Sequence, residues 1–318
     1  MKTWNLSETQ PQFERIRDLP RQRVPKDIFV LLILILGYWS CAQFGIAYLQ
    51  IVLTVAAGIS GKTLDLNEPD KMWIMLYMTI VSIFLNVLIY RLIECRTART
   101  MGLTKHRCVP DYLTGAVTGM AMFSAVIGIN YAAGAVRVSD ADGFARNIPM
   151  MIVLFGGWMI QGFSEEFAFR GFMMMSAGTY KKPWTAIIVS AVLFGAAHIL
   201  NTGATVSGIL NVMLFGVVMS LYMLRTDSIW GPAALHTVWN WAQGSFFGLK
   251  VSGMDTGASV LHFEQTGNAA WMNGGSFGLE GGAGTTIILV IVAVVLFFVI
   301  PQRTSEYPQE DTAAPAEQ

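Results

Sequence analysis

Two adjacent glutamates, Glu165 and Glu166, lie in the middle of an apolar stretch, residues 158–175, that is long enough to sit inside a lipid bilayer. Ionisable side chains at membrane depth cost about 2.5–3.5 kcal/mol each on insertion scales, so they indicate a functional site. On a helix, Glu166 and Arg170 share one face as an i, i+4 pair and can neutralise each other. Glu165 points about 100° away from Glu166. We therefore predict a structural ion pair, Glu166–Arg170, and a reactive carboxylate, Glu165; the alternative is a packing network of all three between helices.

Two further apolar segments carry one histidine each, His198 and His236, and Asn240 follows His236 one helical turn later. Taken singly, each of these side chains is more typical of polar contacts between helices. Only two of the four histidines fall in apolar segments, however, and both are close in the chain to the double glutamate. A carboxylate, two imidazoles and an amide in an apolar setting can activate a water and stabilise an oxyanion. The combination predicts a hydrolase site formed by Glu165, His198, His236 and Asn240.

The elements that must position these side chains are apolar segments of bilayer length. The 318-residue chain is 53% hydrophobic and 13% charged, whereas soluble domains carry about 25% charged residues. Its net charge is zero, which implies no bulk attraction to nucleic acid. We predict an all-α, polytopic membrane protein with about eight transmembrane helices and an active-site cavity inside the bilayer. The predicted segments are residues 27–56, 71–93, 111–136, 148–175, 183–200, 206–224, 229–247 and 285–300.

The distribution of basic residues predicts the orientation of these segments. Of the 21 Lys and Arg residues, 15 fall in the N-terminal segment and the loops on its side of the membrane, against five on the other side. Such a bias favours a cytoplasmic location for both termini and an even number of spans. The predicted organisation is a cytoplasmic N-terminal segment (1–26), a membrane domain (27–300) with a motif core (148–247) and a long outer loop (252–284), and a disordered C-terminal tail (301–318).

Three motifs, each in an apolar segment and in this order, read E-E-x-x-x-R at 165–170, F-x-x-x-H at 194–198 and H-x-x-x-N at 236–240. This pattern resembles the CAAX protease and bacteriocin-processing (CPBP or Abi) family of intramembrane proteases, which includes the Ras-converting CAAX endopeptidase. The resemblance covers residues 148–247, about a third of the chain. It implies an all-helical fold of eight spans and a multi-pass location in a cell membrane, namely a bacterial inner membrane.

The resemblance also implies roles for individual residues. By analogy with the Ras-converting enzyme, Glu165 and His198 would position a water, and His236 and Asn240 would form an oxyanion site. The expected activity is that of an intramembrane endopeptidase, with a peptide or a membrane protein as its substrate and the lipid bilayer as its surroundings.

The part played by a metal stays open at this point. The H-E-x-x-H pattern of zinc peptidases is absent, which favours a glutamate mechanism with no cofactor. Glu165, His198 and His236 could nevertheless supply a three-ligand zinc site with one open position. In that case the enzyme would be a metallopeptidase.

Three other functions are compatible with the same residues. A non-catalytic membrane scaffold or bacteriocin-immunity protein of the same family would share the motifs. A transporter could use the carboxylate pair as a proton relay. A haem-binding membrane cytochrome could use His198 and His236 as axial ligands.

Overall fold

The long apolar runs of the sequence form helices in the computed structural model, which describes residues 4–6, 8–66, 68–139, 144–267 and 269–303. A helix satisfies its backbone hydrogen bonds internally, as an apolar surrounding requires. The α-helices are α1 (Pro11–Arg17), α2 (Ile28–Ile59), α3 (Met72–Met78), α4 (Ile80–Leu88), α5 (Cys108–Ala132), α6 (Phe144–Glu166), α7 (Met175–Tyr180), α8 (Pro183–Ala197), α9 (Val206–Thr226), α10 (Trp230–Trp241), α11 (Ala270–Asn273) and α12 (Ala283–Phe298).

Polar caps fix the starts of two long helices. The Asp27 carboxylate accepts the Phe29 backbone N–H at 2.7 Å at the start of α2. The Thr205 hydroxyl accepts the Gly208 N–H at 3.1 Å at the start of α9. Each cap satisfies a backbone donor that the first turn of a helix leaves without a partner.

Four helical stretches of the described chain are long and apolar enough to cross a membrane: α2, Met72–Ile93, α5 and α9. Helix α2 exposes large apolar side chains along its length, among them Phe29, Phe44 and Ile59 at 73, 76 and 83%. Two other predicted segments form shorter apolar helices, α8 and α12. The predicted all-α membrane protein is therefore confirmed in part, as a mostly helical chain with four candidate membrane spans, and the count of eight spans stays a prediction.

The predicted segment 148–175 belongs to one longer helical stretch with a change of winding in the middle. Helix α6 ends at Glu166 and continues through eight residues of π-helix, Phe167–Met174, into α7. Helix α10 likewise continues into a π-helical turn, Ala242–Phe246. Such wide turns occur frequently at functional sites. Both follow directly on residues of the predicted site.

The fold is not purely helical, which corrects the prediction. Strands β1 (Val136–Ser139) and β2 (His262–Gln265) pair antiparallel, with Val136 opposite Gln265. The predicted segment 111–136 therefore ends too late, because α5 stops at Ala132 and Gly134 turns the chain at a φ of 67°. Glycine adopts this left-handed conformation at little steric cost.

The predicted outer loop is largely ordered and packed. It contains β2, α11 and two 3₁₀ turns, Gly275–Phe277 and Leu279–Gly281. Phe277 and Leu279 are completely buried, and the Phe277 carbonyl accepts the Gly253 N–H at 2.9 Å. We call residues 251–282 the roof segment, because they cover one end of the helices.

Both terminal segments contact the helices at the opposite end. In α1, Phe13 and Ile16 are completely buried, and Gln12 donates a hydrogen bond to the Leu224 carbonyl at 3.0 Å. At the other terminus, Arg303 donates to both carboxylate oxygens of Asp111 at 2.9 Å. The predicted disordered tail lies, from residue 304 onward, outside the described residues.

Helix α10, which carries two of the predicted site residues, packs closely against α5. The approach is possible because α5 presents Gly115 and Gly119 to the backbone of α10. A Cβ atom at Gly115 would lie 2.1 Å from the Gly231 carbonyl oxygen, and one at Gly119 would lie 2.6 Å from that of Leu235. Small residues four apart allow helix backbones to approach in this way in membranes.

We expect Gly119→Ala to lower the free energy of unfolding by about 1–3 kcal/mol, because the added methyl group overpacks against α10. Gly128→Ala is the matched control, since Gly128 lies on the same helix and its Cβ would meet no atom within 4 Å. The control should be neutral or slightly stabilising. Thermal unfolding in detergent measures both. Equal stability of the two variants would contradict the close packing of α5 and α10.

Candidate active site

A cavity of about 220 Å³ lies among the helices and contains all four predicted catalytic residues. Glu165 lies near the end of α6, His198 directly follows α8, and His236 and Asn240 are one turn apart on α10. The cavity is bounded by α2, α6, α8, α9, α10, α12 and the roof segment. The structure thus brings together residues that are up to 75 positions apart in the chain.

The Glu165 carboxylate is held through one oxygen, while its other oxygen has no hydrogen-bond partner among the described residues. Its Oε1 accepts a hydrogen bond from Gln161 Nε2 at 2.6 Å. Its Oε2 accepts none from any residue that the structure describes and lies 3.8 Å from His236 Nε2. The side chain is 25% exposed. The oxygen itself is buried, and its unused lone pairs can accept a hydrogen bond from a water or a substrate that enters the cavity lined by Glu165.

Gln161 is a site residue that the sequence analysis did not identify. Its Oε1 accepts from Asn240 Nδ2 at 3.1 Å while its Nε2 donates to Glu165. The amide therefore fixes the relative positions of Glu165 and Asn240. Because Asn240 Nδ2 carries two hydrogens, one remains for another acceptor. The signal in the sequence is the i, i+4 spacing of Gln161 and Glu165, the same spacing that indicated the Glu166–Arg170 pair.

Glu166 contacts an arginine and a histidine. Its Oε1 accepts from Arg170 Nη1 at 2.9 Å and from His236 Nδ1 at 2.8 Å, and both charged side chains of the pair are fully buried. The Arg170 guanidinium also lies 4.3 Å from the centre of the Phe194 ring, a cation–π arrangement. Glu166 thus does more than pair with Arg170, since it also orients the histidine of the site.

The hydrogen-bond acceptors assign the tautomers of the two histidines. His236 Nδ1 faces a carboxylate oxygen, and His198 Nδ1 faces the Phe194 carbonyl oxygen at 2.8 Å. Neither acceptor can donate, so Nδ1 carries the hydrogen in both rings. In the neutral form each Nε2 is then a proton acceptor. His236 can donate from Nε2 only as an imidazolium, and the Glu166 carboxylate stabilises that charge.

The roof segment contributes polar groups to the cavity, which the sequence analysis missed because it assigned no function to residues 252–284. Glu280 Oε2 accepts from the Ser252 N–H at 2.8 Å and from its hydroxyl at 2.6 Å. The Asn211 side chain of α9 donates a hydrogen bond from Nδ2 to the Glu280 carbonyl oxygen at 2.7 Å. Burial raises the pKa of Glu280, and the Ser252 hydroxyl opposes that shift. The sequence feature that could have identified Glu280 is its isolation, because it is the only charged residue between Glu264 and Arg303.

The zinc alternative requires Glu165, His198 and His236 around one ion. Across the residues that the structure describes, no group of three or more His, Cys, Asp or Glu side chains is arranged to hold a metal ion. Both Nδ1 atoms are engaged, by Glu166 and by the Phe194 carbonyl, and contacts of this kind also orient histidines that bind a metal through Nε2. The zinc alternative therefore stays a prediction, and no catalytic step below is assigned to a metal.

Comparison with known proteins identifies the segment that carries the three motifs. Residues 147–242 match the family described as Rce1-like, type II CAAX prenyl endopeptidase Rce1-like. The match covers less than a third of the chain and includes every predicted catalytic residue. It confirms the resemblance to the CAAX protease and bacteriocin-processing family and supports a peptidase. No curated protein and no solved structure matches the chain.

We expect Glu166→Ala and Arg170→Ala each to lower the free energy of unfolding by about 3–5 kcal/mol, because each strands a buried charge. The double variant should recover part of that loss. Thermal unfolding in detergent measures the three variants against the wild type. Glu264→Ala is the control, because it removes an exposed ion pair to Arg137 and should change stability little. Strictly additive losses in the double variant would contradict the pairing.

Proposed function

We propose that the protein is a multi-pass intramembrane endopeptidase that hydrolyses a peptide bond with a water activated by Glu165. The observation that carries the proposal is Glu165, which lines a cavity among apolar helices and whose Oε2 has no hydrogen-bond partner among the described residues and lies 3.8 Å from His236 Nε2. A positioned carboxylate is a general base once a water lies within hydrogen-bond reach. The match to a peptidase family supports the choice of a peptide bond as the target.

In the proposed reaction, Glu165 takes a proton from the water as its oxygen attacks the carbonyl carbon of the substrate. The neutral Nε2 of His198 accepts a hydrogen bond from the second O–H of the same water and orients it, and that hydrogen stays on the attacking oxygen. The carbonyl oxygen becomes an oxyanion in the tetrahedral intermediate. Glu165 then returns its proton to the amide nitrogen as the C–N bond breaks, which leaves a carboxylic acid and an amine.

His236 and Asn240 are proposed to stabilise the oxyanion. Asn240 offers its remaining N–H, since Gln161 uses only one. His236 offers Nε2–H as an imidazolium, with Nδ1–H bonded to Glu166. With His236 protonated, Glu165, Glu166, Arg170 and His236 together carry no net charge, which lowers the cost of burying them. Preorganised donors of this kind give a large share of the rate enhancement in acyl transfer.

Glu165→Gln should abolish turnover, because the amide keeps the shape of the side chain and loses its basicity. The measurement is a comparison of cleaved peptides in native membranes that contain the wild type or the variant. Glu264→Gln, a change outside the cavity, is the control and should cleave as the wild type does. Wild-type cleavage by Glu165→Gln would remove this residue from the mechanism. Identical peptide sets from all three would favour the non-catalytic scaffold or immunity protein.

The metal-free mechanism predicts that chelators leave the activity unchanged and that the purified protein contains no stoichiometric zinc. Elemental analysis of the wild type and of His198→Ala makes this measurement. One tightly bound zinc per chain that is lost in His198→Ala would replace the glutamate mechanism with that of a metallopeptidase.

A further inference from the structure

The two ends of the helix bundle differ sharply in charge. One end, which we call the basic end, holds the N-terminal segment, residues 91–111, 176–182 and 224–230, and Arg303. Contacts among these parts place them together. Arg15 pairs with Asp227 at 2.7 Å, the Glu94 carbonyl accepts the Arg23 N–H at 2.8 Å, and the Arg225 carbonyl accepts the Arg303 N–H at 2.8 Å.

The opposite end, which we call the roof end, holds the turn after α5, the loop after α8 and the roof segment. The Ala135 carbonyl accepts the Thr266 N–H at 3.0 Å and the Asn273 side chain at 2.8 Å. Gly253 of the roof segment packs directly on the Thr202 carbonyl. The helix directions agree, because α9 runs from the roof end at Val206 to the basic end at Thr226.

Positive charge is concentrated at the basic end. Among the described side chains, 14 Lys and Arg residues lie at that end and four at the roof end, with Arg170 between them. The four are Lys62, Lys71, Arg137 and Lys250. Lys and Arg in short loops next to membrane helices favour the cytoplasmic side. This asymmetry places the basic end in the cytoplasm and the roof end on the other side of the membrane.

The cavity belongs to the roof end. It is lined by His198 and Asn201 at the end of α8 and by Ser252, Met254 and Glu280 of the roof segment. No lining residue among the described ones comes from the basic end. Met254 of the roof segment lines the cavity and is 45% exposed, so the cavity lining reaches the surface at the roof segment.

We propose that the protein takes its substrate from the non-cytoplasmic side of the membrane, as an extended peptide segment of an exported or membrane protein. The reaction in this inference rests on the proposed function. The side of the membrane is inferred separately, from the charge asymmetry and the position of the cavity. A prenylated C-terminal tail in the cytoplasm would meet the basic end, which contributes no described residue to the lining of the cavity. The proposed substrate therefore approaches from the non-cytoplasmic face of the membrane, whereas a cytoplasmic CAAX tail would have to approach from the cytoplasmic face.

Cysteine labelling tests the side without any need for activity. In a background where Cys41, Cys95 and Cys108 are replaced by serine, Met254→Cys should react with a membrane-impermeant maleimide on intact cells. Lys181→Cys, an exposed position at the basic end, should react only after the membrane is permeabilised. The reverse pattern would overturn the inference while leaving the proposed reaction intact.

The cleaved peptides test the substrate class. Cleavage sites that are present with the wild type and absent with Glu165→Gln should map to exported segments or to non-cytoplasmic parts of membrane proteins. Sites in cytoplasmic C-terminal tails would overturn the inference. If the two samples yield the same sites, the proposed function fails instead, and the labelling experiment still decides which side the cavity faces.

Discussion

The buried carboxylate of Glu166 is the group on which the arrangement of the site depends. One oxygen accepts hydrogen bonds from Arg170 on its own helical stretch and from His236 on α10. A buried ion costs several kcal/mol unless it is paired and hydrogen-bonded. The same contact therefore stabilises the charge, joins two helices and fixes the tautomer of a proposed catalytic histidine. Loss of Glu166 would affect all three.

The two neighbouring glutamates have separate roles because helix geometry points them in different directions. Glu166 points into the protein, where it is fully buried, and Glu165 points into the cavity, where it remains partly exposed. The winding changes immediately afterwards, at Phe167, and the π-helical turns that follow contain Arg170. Within the cavity, Gln161 connects Glu165 to Asn240. The roof segment adds Ser252 and Glu280 to the cavity lining. The site is thus assembled from several helices and one extramembrane segment.

The sequence predicts the parts of this arrangement that follow from local spacing. The i, i+4 rule anticipates the contact between Glu166 and Arg170, and long apolar runs predict the helices. Local patterns do not reveal long-range pairing, so the β1–β2 sheet was missed, since its strands are more than 120 residues apart. Glu280 was missed for the same reason, because its position depends on contacts with Ser252 and Asn211. The sequence did not identify Gln161, because placing an uncharged amide in a membrane costs less free energy than placing a carboxylate there. An amide is therefore a weaker indication of function.

We infer that Glu166 holds His236 with Nδ1 protonated, so that Nε2 faces Glu165. Solid-state ¹⁵N NMR of the histidine-labelled protein in lipid tests it, with the His236 signals assigned by their loss in His236→Gln. The account predicts a protonated, strongly hydrogen-bonded Nδ1 in the wild type and a changed Nδ1 shift in Glu166→Gln. An unprotonated Nδ1 in the wild type, or His236 signals that do not respond to Glu166→Gln, would contradict it.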